Sequence, residues 1–183
     1  MNDRNQIEQY LRENLIGQRI EDVTLYLVNE QAFDDKDCDR QLADGGIQLQ
    51  LSTRGAFTFG WDSNYELMNI AFEPCSVLCA NSTLQALSTK GDFFWKQISG
   101  RKIQDIEVKW NWFDVEKKRH HVPIYLIFEM EDKTKFMICA MEFEKKENEL
   151  CNFTFDQEGW IVVYFDKEDM KQLISSAAQL IRP

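Results

Sequence analysis

Ile16–Leu27 reads "IGQRIEDVTLYL", and Ser99–Trp110 reads "SGRKIQDIEVKW". Glycine, a cation, isoleucine, aspartate and then alternating apolar positions follow in the same order, with Gly17 and Gly100 83 positions apart. A glycine between a helical stripe and an alternating run marks a helix that ends in a left-handed residue and opens into a strand. The same offset returns where "ELMNIAFE" at Glu66–Glu73 is answered by "ELCNFTFD" at Glu149–Asp156. Between these blocks, "GIQLQLSTRGAFTFGW" from Gly46 corresponds to "PIYLIFEMEDKTKFMICA" from Pro123. The pattern predicts an α+β fold built from an internally duplicated unit of helix, about five mainly antiparallel strands and helix. Two copies, residues 1–90 and 91–183, are expected to be related by a pseudo-twofold and to share one core. Edge-to-edge and face-to-face association of the sheets both fit.

Working outward, Asp3 and Gln6 suit the start of a helix whose apolar stripe is Ile7, Tyr10, Leu11 and Leu15. Glu8 and Arg12 are spaced for an i,i+4 ion pair. Asp92 opens a shorter second helix through Phe94, Trp95 and Ile98. Val23, Leu25 and Leu27 fall on one strand face, as do Ile106, Val108, Trp110 and Trp112. Ile47, Leu49 and Leu51 are matched by Ile124, Leu126 and Phe128, and the turns "STRG" and "EDKT" lead into Phe57 and Phe59 and into Phe136 and Ile138. "CSVLCA" and "WIVVYF" (Trp160–Phe165) read as later strands. Ser82 and Gln85 predict a closing helix with Leu84 and Leu87 inward. Asp166 predicts another, with Met170, Leu173, Ile174, Ala177 and Ile181 on its apolar face.

The chain has 183 residues, 44% hydrophobic and 13% aromatic, enough to bury a substantial core. No signal-peptide pattern and no membrane-length apolar run is read from it. Five cysteines, Cys38, Cys75, Cys79, Cys139 and Cys151, are an odd number, which favours reduced thiols and a cytoplasmic location. A net charge of −10 argues against phosphate-driven nucleic-acid binding and favours a basic partner.

Asp35, Asp37 and Asp39 have calcium-loop spacing, but Arg40 stands where that loop needs glycine and Gly46 where it needs glutamate. On a strand, Cys75 and Cys79 would lie about 13 Å apart, too far for a disulfide. Two further zinc ligands are not spaced around them. His120 and His121 sit in "EKKRHHVP". They read as a solvated loop; the competing reading pairs one of them with Asp114 or Glu116 as a catalytic acid–base couple in a cleft between the copies. No nucleophile elbow, P-loop or dinucleotide fingerprint occurs, so no catalytic residue, metal or cofactor is assigned.

Comparison of equivalent connections points to binding. Asn29–Asp44 is long and acidic, "NEQAFDDKDCDRQLAD", whereas its counterpart from Asp114, "DVEKKRHHV", is short and centrally basic. Segments a scaffold does not need are where function concentrates. Asp34, Asp35, Asp37 and Asp39 are therefore expected to face a basic protein partner, with Trp61 and Asp62 as further partner-binding candidates. Core packing is the commoner role for such a tryptophan, and Trp95, Trp110, Trp112 and Trp160 are assigned to packing. The acidic stretch of one molecule meeting Lys117–Arg119 of another would give a homodimer. In general profile the chain resembles bacterial antitoxin or immunity proteins, which implies a non-enzymatic inhibitor of a basic protein such as a toxin. A small enzyme and a structural homo-oligomer are the alternatives.

Overall fold

The alternating runs become strands of two antiparallel sheets, and a computed structural model describes residues 4–27, 40–43, 45–61, 68–72, 84–115, 117–143, 153–154, 160–165, 168, 170–171 and 174–175. Helix α1 (Arg4–Leu15) precedes β1 (Ile20–Leu27), β2 (Arg40–Leu42), β3 (Gly46–Leu51), β4 (Gly55–Trp61), β5 (Met68–Phe72) and β6 (Gln85–Ser88). Helix α2 (Phe93–Ile98) precedes β7 (Ile103–Val115), β8 (Lys118–Met130), β9 (Lys135–Phe143), β10 (Phe153–Thr154) and β11 (Trp160–Tyr164). The first sheet has the order β5-β4-β3-β1-β6 and the second β2-β11-β9-β8-β7, with β10 also on β9. The fold is α+β, with few helices.

Both sheets contribute to one core. Val23, Leu25, Ile47, Leu49, Phe57 and Phe59 meet Ile106, Leu126, Phe128, Phe136 and Ile138, with Phe57 edge-on to Phe128 at 6.3 Å. Leu11 and Leu15 from α1, and Trp95 and Ile98 from α2, belong to the same cluster. A second cluster, including Tyr125, Ile127, Met137, Cys139 and Val162, is packed by Met170 and Ile174, both in helical backbone. The strand period of two divides these sets: Leu126 and Phe128 serve one face, Tyr125 and Ile127 the other. Ile124 departs from the expected stripe. The β7–β8 register passes from Lys109↔Tyr125 to Trp110↔Pro123, and the extra residue moves Ile124 into the second cluster.

The glycine junctions lie side by side. Gly17 and Gly100 have φ of 83° and 78°, and nothing lies within 4 Å of a Cβ built on either. Gly17 N–H donates to Ile103 O at 2.8 Å, and Gly100 N–H to Ile20 O at 2.7 Å. Ile20 N–H donates to Arg101 O at 3.2 Å, and Ile103 N–H to Gln18 O at 2.9 Å, around an antiparallel bridge between Arg19 and Lys102. Both following strands skip a position, at Ile20/Asp22 and at Ile103/Asp105. In each, the aspartate accepts the next backbone N–H, Val23 at 3.0 Å and Ile106 at 2.8 Å.

Several expectations are corrected. The region from Gln85 is an edge strand, not a helix: β6 pairs with β1 from Thr24↔Ser88 to Leu27↔Gln85, and Leu87 is exposed. Tyr10 is also exposed. Glu8 binds Arg4 at 2.8 Å in place of Arg12, while Arg12 reaches Asp105 at 2.5 Å and Ile106 O at 2.7 Å. Part of the long acidic connection is structural: Arg40–Leu42 pairs with β11 at the edge of the second sheet. There Gln41 accepts a hydrogen bond from Trp95 Nε1 and donates to Asp92 Oδ2 at 2.7 Å. Asp92 in turn caps α2 by accepting from Phe94 and Trp95 N–H. Among the described residues, no helix is long and apolar enough to cross a membrane.

Candidate functional site

Beyond Tyr125, β8 loses its pairing with β9 and continues with β7 alone, so the hairpin ends in a two-stranded ribbon. Lys117, at φ 64°, lies in its turn. His120 and His121 belong to β8, opposite Phe113 and Trp112, and not to a loop.

The Trp112–His121 pair organises one face of this ribbon. The two residues are directly opposite, and their rings stack at 4.5 Å and 15°. Trp110 tilts against His121 at 5.4 Å, and the Arg119 guanidinium lies over the Trp112 ring at 5.2 Å. Such contacts contribute about 0.5–1 kcal/mol each at exposed positions and hold the rings in one orientation. Helix α1 anchors the inner end, since Trp110 Nε1 donates to Glu8 Oε1 at 2.7 Å and Arg4 shares that oxygen. Burial lowers the His121 pKa, and the nearby Arg4 charge adds to the effect against the opposing pull of Glu8. The balance favours the neutral form of His121 in the stack.

Trp112 nevertheless remains 48% exposed, so the expectation that it serves only packing is corrected. Strand alternation put it in line with Ile106, Val108 and Trp110, but the ribbon runs past the core before reaching it. Arg119 and Lys118, the next β8 residues toward the turn, are exposed, as is Lys117.

The other sequence candidates fall elsewhere. Trp61 is 3% exposed and belongs to the core, so its ring is not at the surface. Asp34, Asp35, Asp37, Asp39 and Asp62 lie outside the described residues, as do Glu116, Cys38, Cys75, Cys79 and Cys151. Among the described residues no hydrogen bond joins either histidine to a carboxylate; Asp114 stands opposite Arg119. Cys139 is buried, its thiol donates to Val162 O at 3.6 Å, and burial pushes its pKa up. Its buried, protonated state is the reverse of an activated nucleophile.

A groove of about 150 Å³ separates β1 from α2, lined by Asp22, Thr89, Lys90, Trp95, Lys96 and Ser99 among others. Lys90 and Asp22 pair across it at 3.2 Å. Its size is below that of a small-molecule site. Among the described residues, no three His, Cys, Asp or Glu side chains converge as a metal-holding group.

The chain matches no family model, no curated protein and no solved structure.

Proposed function

We propose that this protein is a non-catalytic, acidic protein-binding module, an inhibitor of the immunity or antitoxin type that covers a basic protein partner in the cytoplasm. The observation that carries the binding reading is Trp112, half exposed yet held by a ring stack with His121 and a cation contact from Arg119. Interfaces draw most of their energy from a few tryptophan, tyrosine and arginine side chains. A side chain fixed before contact forfeits little entropy on binding. The net charge of −10 and the run Asp34, Asp35, Asp37, Asp39 support long-range attraction of a basic partner.

The proposal includes the origin of the scaffold: one unit copied at an offset of 83, its two descendants related by a pseudo-twofold through the Arg19–Lys102 bridge. The exchanged bonds of Gly17 with Ile103 and Gly100 with Ile20 support this reading, as do the matched strand irregularities after them. Divergence then explains why α1 is longer than α2 and why the first copy has strand β6 where the second has helical backbone at Glu168, Met170 and Lys171.

The test is site-specific photo-crosslinking in the native cell. A crosslinker replacing Lys118, on the ribbon, is expected to yield a discrete protein adduct. One replacing Arg54, in the exposed turn before β4, should not. Equal capture from both positions would remove the ribbon as the binding surface.

A further inference from the structure

We infer that the outer end of the β7–β8 ribbon receives an acidic segment of a protein partner, with Trp112 as anchor and Lys117, Lys118 and Arg119 as its cations. The inference rests on the protein-binding reading above and adds that the partner, basic overall, presents one acidic segment to this ribbon.

Three observations meet here. First, the contacts on Trp112 decide what remains of it. His121 stacks on the ring and the Arg119 guanidinium lies over it, so part of the ring surface is already engaged within the chain. The ring also offers its edge, the positive part of the aromatic quadrupole, together with the indole N–H, which donates and never accepts. Among the described residues that N–H has no acceptor. Both features call for an oxygen-rich neighbour.

Second, Lys117, Lys118 and Arg119 are exposed in sequence, and none has a carboxylate partner among the described residues. Arg4, by contrast, is spent on Glu8. Set against Asp114 on the ribbon and Glu116 beside it in the sequence, these three cations leave a small positive excess on a molecule of net charge −10. Third, the ribbon is braced from α1 through Glu8 and Trp110, so the donors are arranged before a ligand arrives. Carboxylates spaced along an extended segment would accept from Trp112 Nε1 and pair with Arg119 and the lysines. A nucleic acid also supplies anions, but its dense charge meets the overall negative field of a molecule of net charge −10.

A capped peptide alternating glutamate and alanine, its lysine counterpart and a single-stranded oligonucleotide are each titrated into the ¹⁵N-labelled full chain. The Trp112 indole signal, assigned with Trp112→Phe, is followed. The glutamate peptide should move that signal and the Lys117–Arg119 amides, with affinity falling several-fold between about 50 and about 300 mM salt. Arg119→Glu should weaken binding roughly tenfold, with the lysine peptide then preferred over the glutamate peptide. Trp112→Phe, which keeps a ring but removes the N–H, should weaken it less.

Unmoved ribbon signals with the glutamate peptide overturn the inference. Oligonucleotide binding of equal strength, or Arg119→Glu binding the glutamate peptide as well as the parent, overturns it as well. Ribbon signals that shift with protein concentration alone would assign the surface to a second copy and equally sink it. If no peptide binds while Lys118 still crosslinks selectively, only the acidic chemistry is wrong. Loss of the selective adduct takes the binding reading down too.

Discussion

Gly17 and Gly100 each turn a helix into a strand at positive φ with open space around the missing side chain. Alanine at either position meets no steric obstacle beyond its own backbone. Gly17→Ala and Gly100→Ala should therefore destabilise by about 1–2 kcal/mol each and by similar amounts, read from urea midpoints at unchanged slope. His121 supplies a second prediction at this scale. Its pKa is lowered in the fold from the ordinary 6.5, so the unfolded chain binds the extra proton more readily. The associated stability is complete above that value and is lost as pH falls below it. His121→Phe preserves a ring in the stack and cannot titrate. Between pH 8 and pH 5 the parent should lose thermal stability relative to this variant, and parallel curves would contradict the assignment. The glycines were legible in the sequence because φ > 0 restricts residue choice so strongly. The His121 environment was not, since Arg4 and Glu8 reach it from more than a hundred positions away through tertiary packing.

Elements were legible where alternation was strict and ambiguous where it was short. Val23 to Leu27 and Ile47 to Leu51 could be placed from their period alone, and the burial of all six apolar positions follows it. "STLQALS" satisfies a helix start, yet Gln85–Ser88 lies on β1 because the open edge of that strand offers ladder bonds that outweigh a weak local preference. Trp112 was misplaced for a different reason: periodicity gives the face of a strand, not where the neighbouring layer stops. On β7, Arg12 caps the Ile106 carbonyl, while Asp105 and Asn111 bond the N–H groups of Ile106 and Trp112. Such local bonds blunt a sheet edge without another strand. Gln41 provides the measurable test at this scale. Gln41→Ala leaves the Trp95 N–H without its acceptor in the core and releases Asp92, at a cost of about 1–3 kcal/mol. Adding Trp95→Phe removes the stranded donor, so the double variant should lose less than the sum of the singles. Strict additivity would show that Gln41 acts independently of the indole.

At the scale of the molecule, both sheets together with α1 and α2 supply one apolar cluster. The whole chain is expected to unfold in a single transition, with far-ultraviolet ellipticity and tryptophan fluorescence coincident in urea. A fragment of residues 91–183 alone should not reach the native spectrum, because its inner sheet face would lack Leu25, Leu49 and Phe57. Two separated transitions, or a folded fragment, would count against a shared core. Face-to-face meeting of the sheets was not legible in the sequence, since buried alternation looks the same whichever layer covers it. The site was legible only as a basic connection: Lys117, Lys118 and Arg119 stood out by charge, while the tryptophan beside them looked like core.

The short strand β2 also bears on how the protein is made. Leu42 finds its mate at Val162, about 120 positions later, so a nascent chain leaving the ribosome carries this strand unmated until β11 has emerged. Closure over such a span is slow compared with hairpin formation. Until then the second sheet lacks its β2 edge and the Gln41 acceptor for Trp95 is not yet fixed by that pairing, so this edge is the last part of the sheet to close.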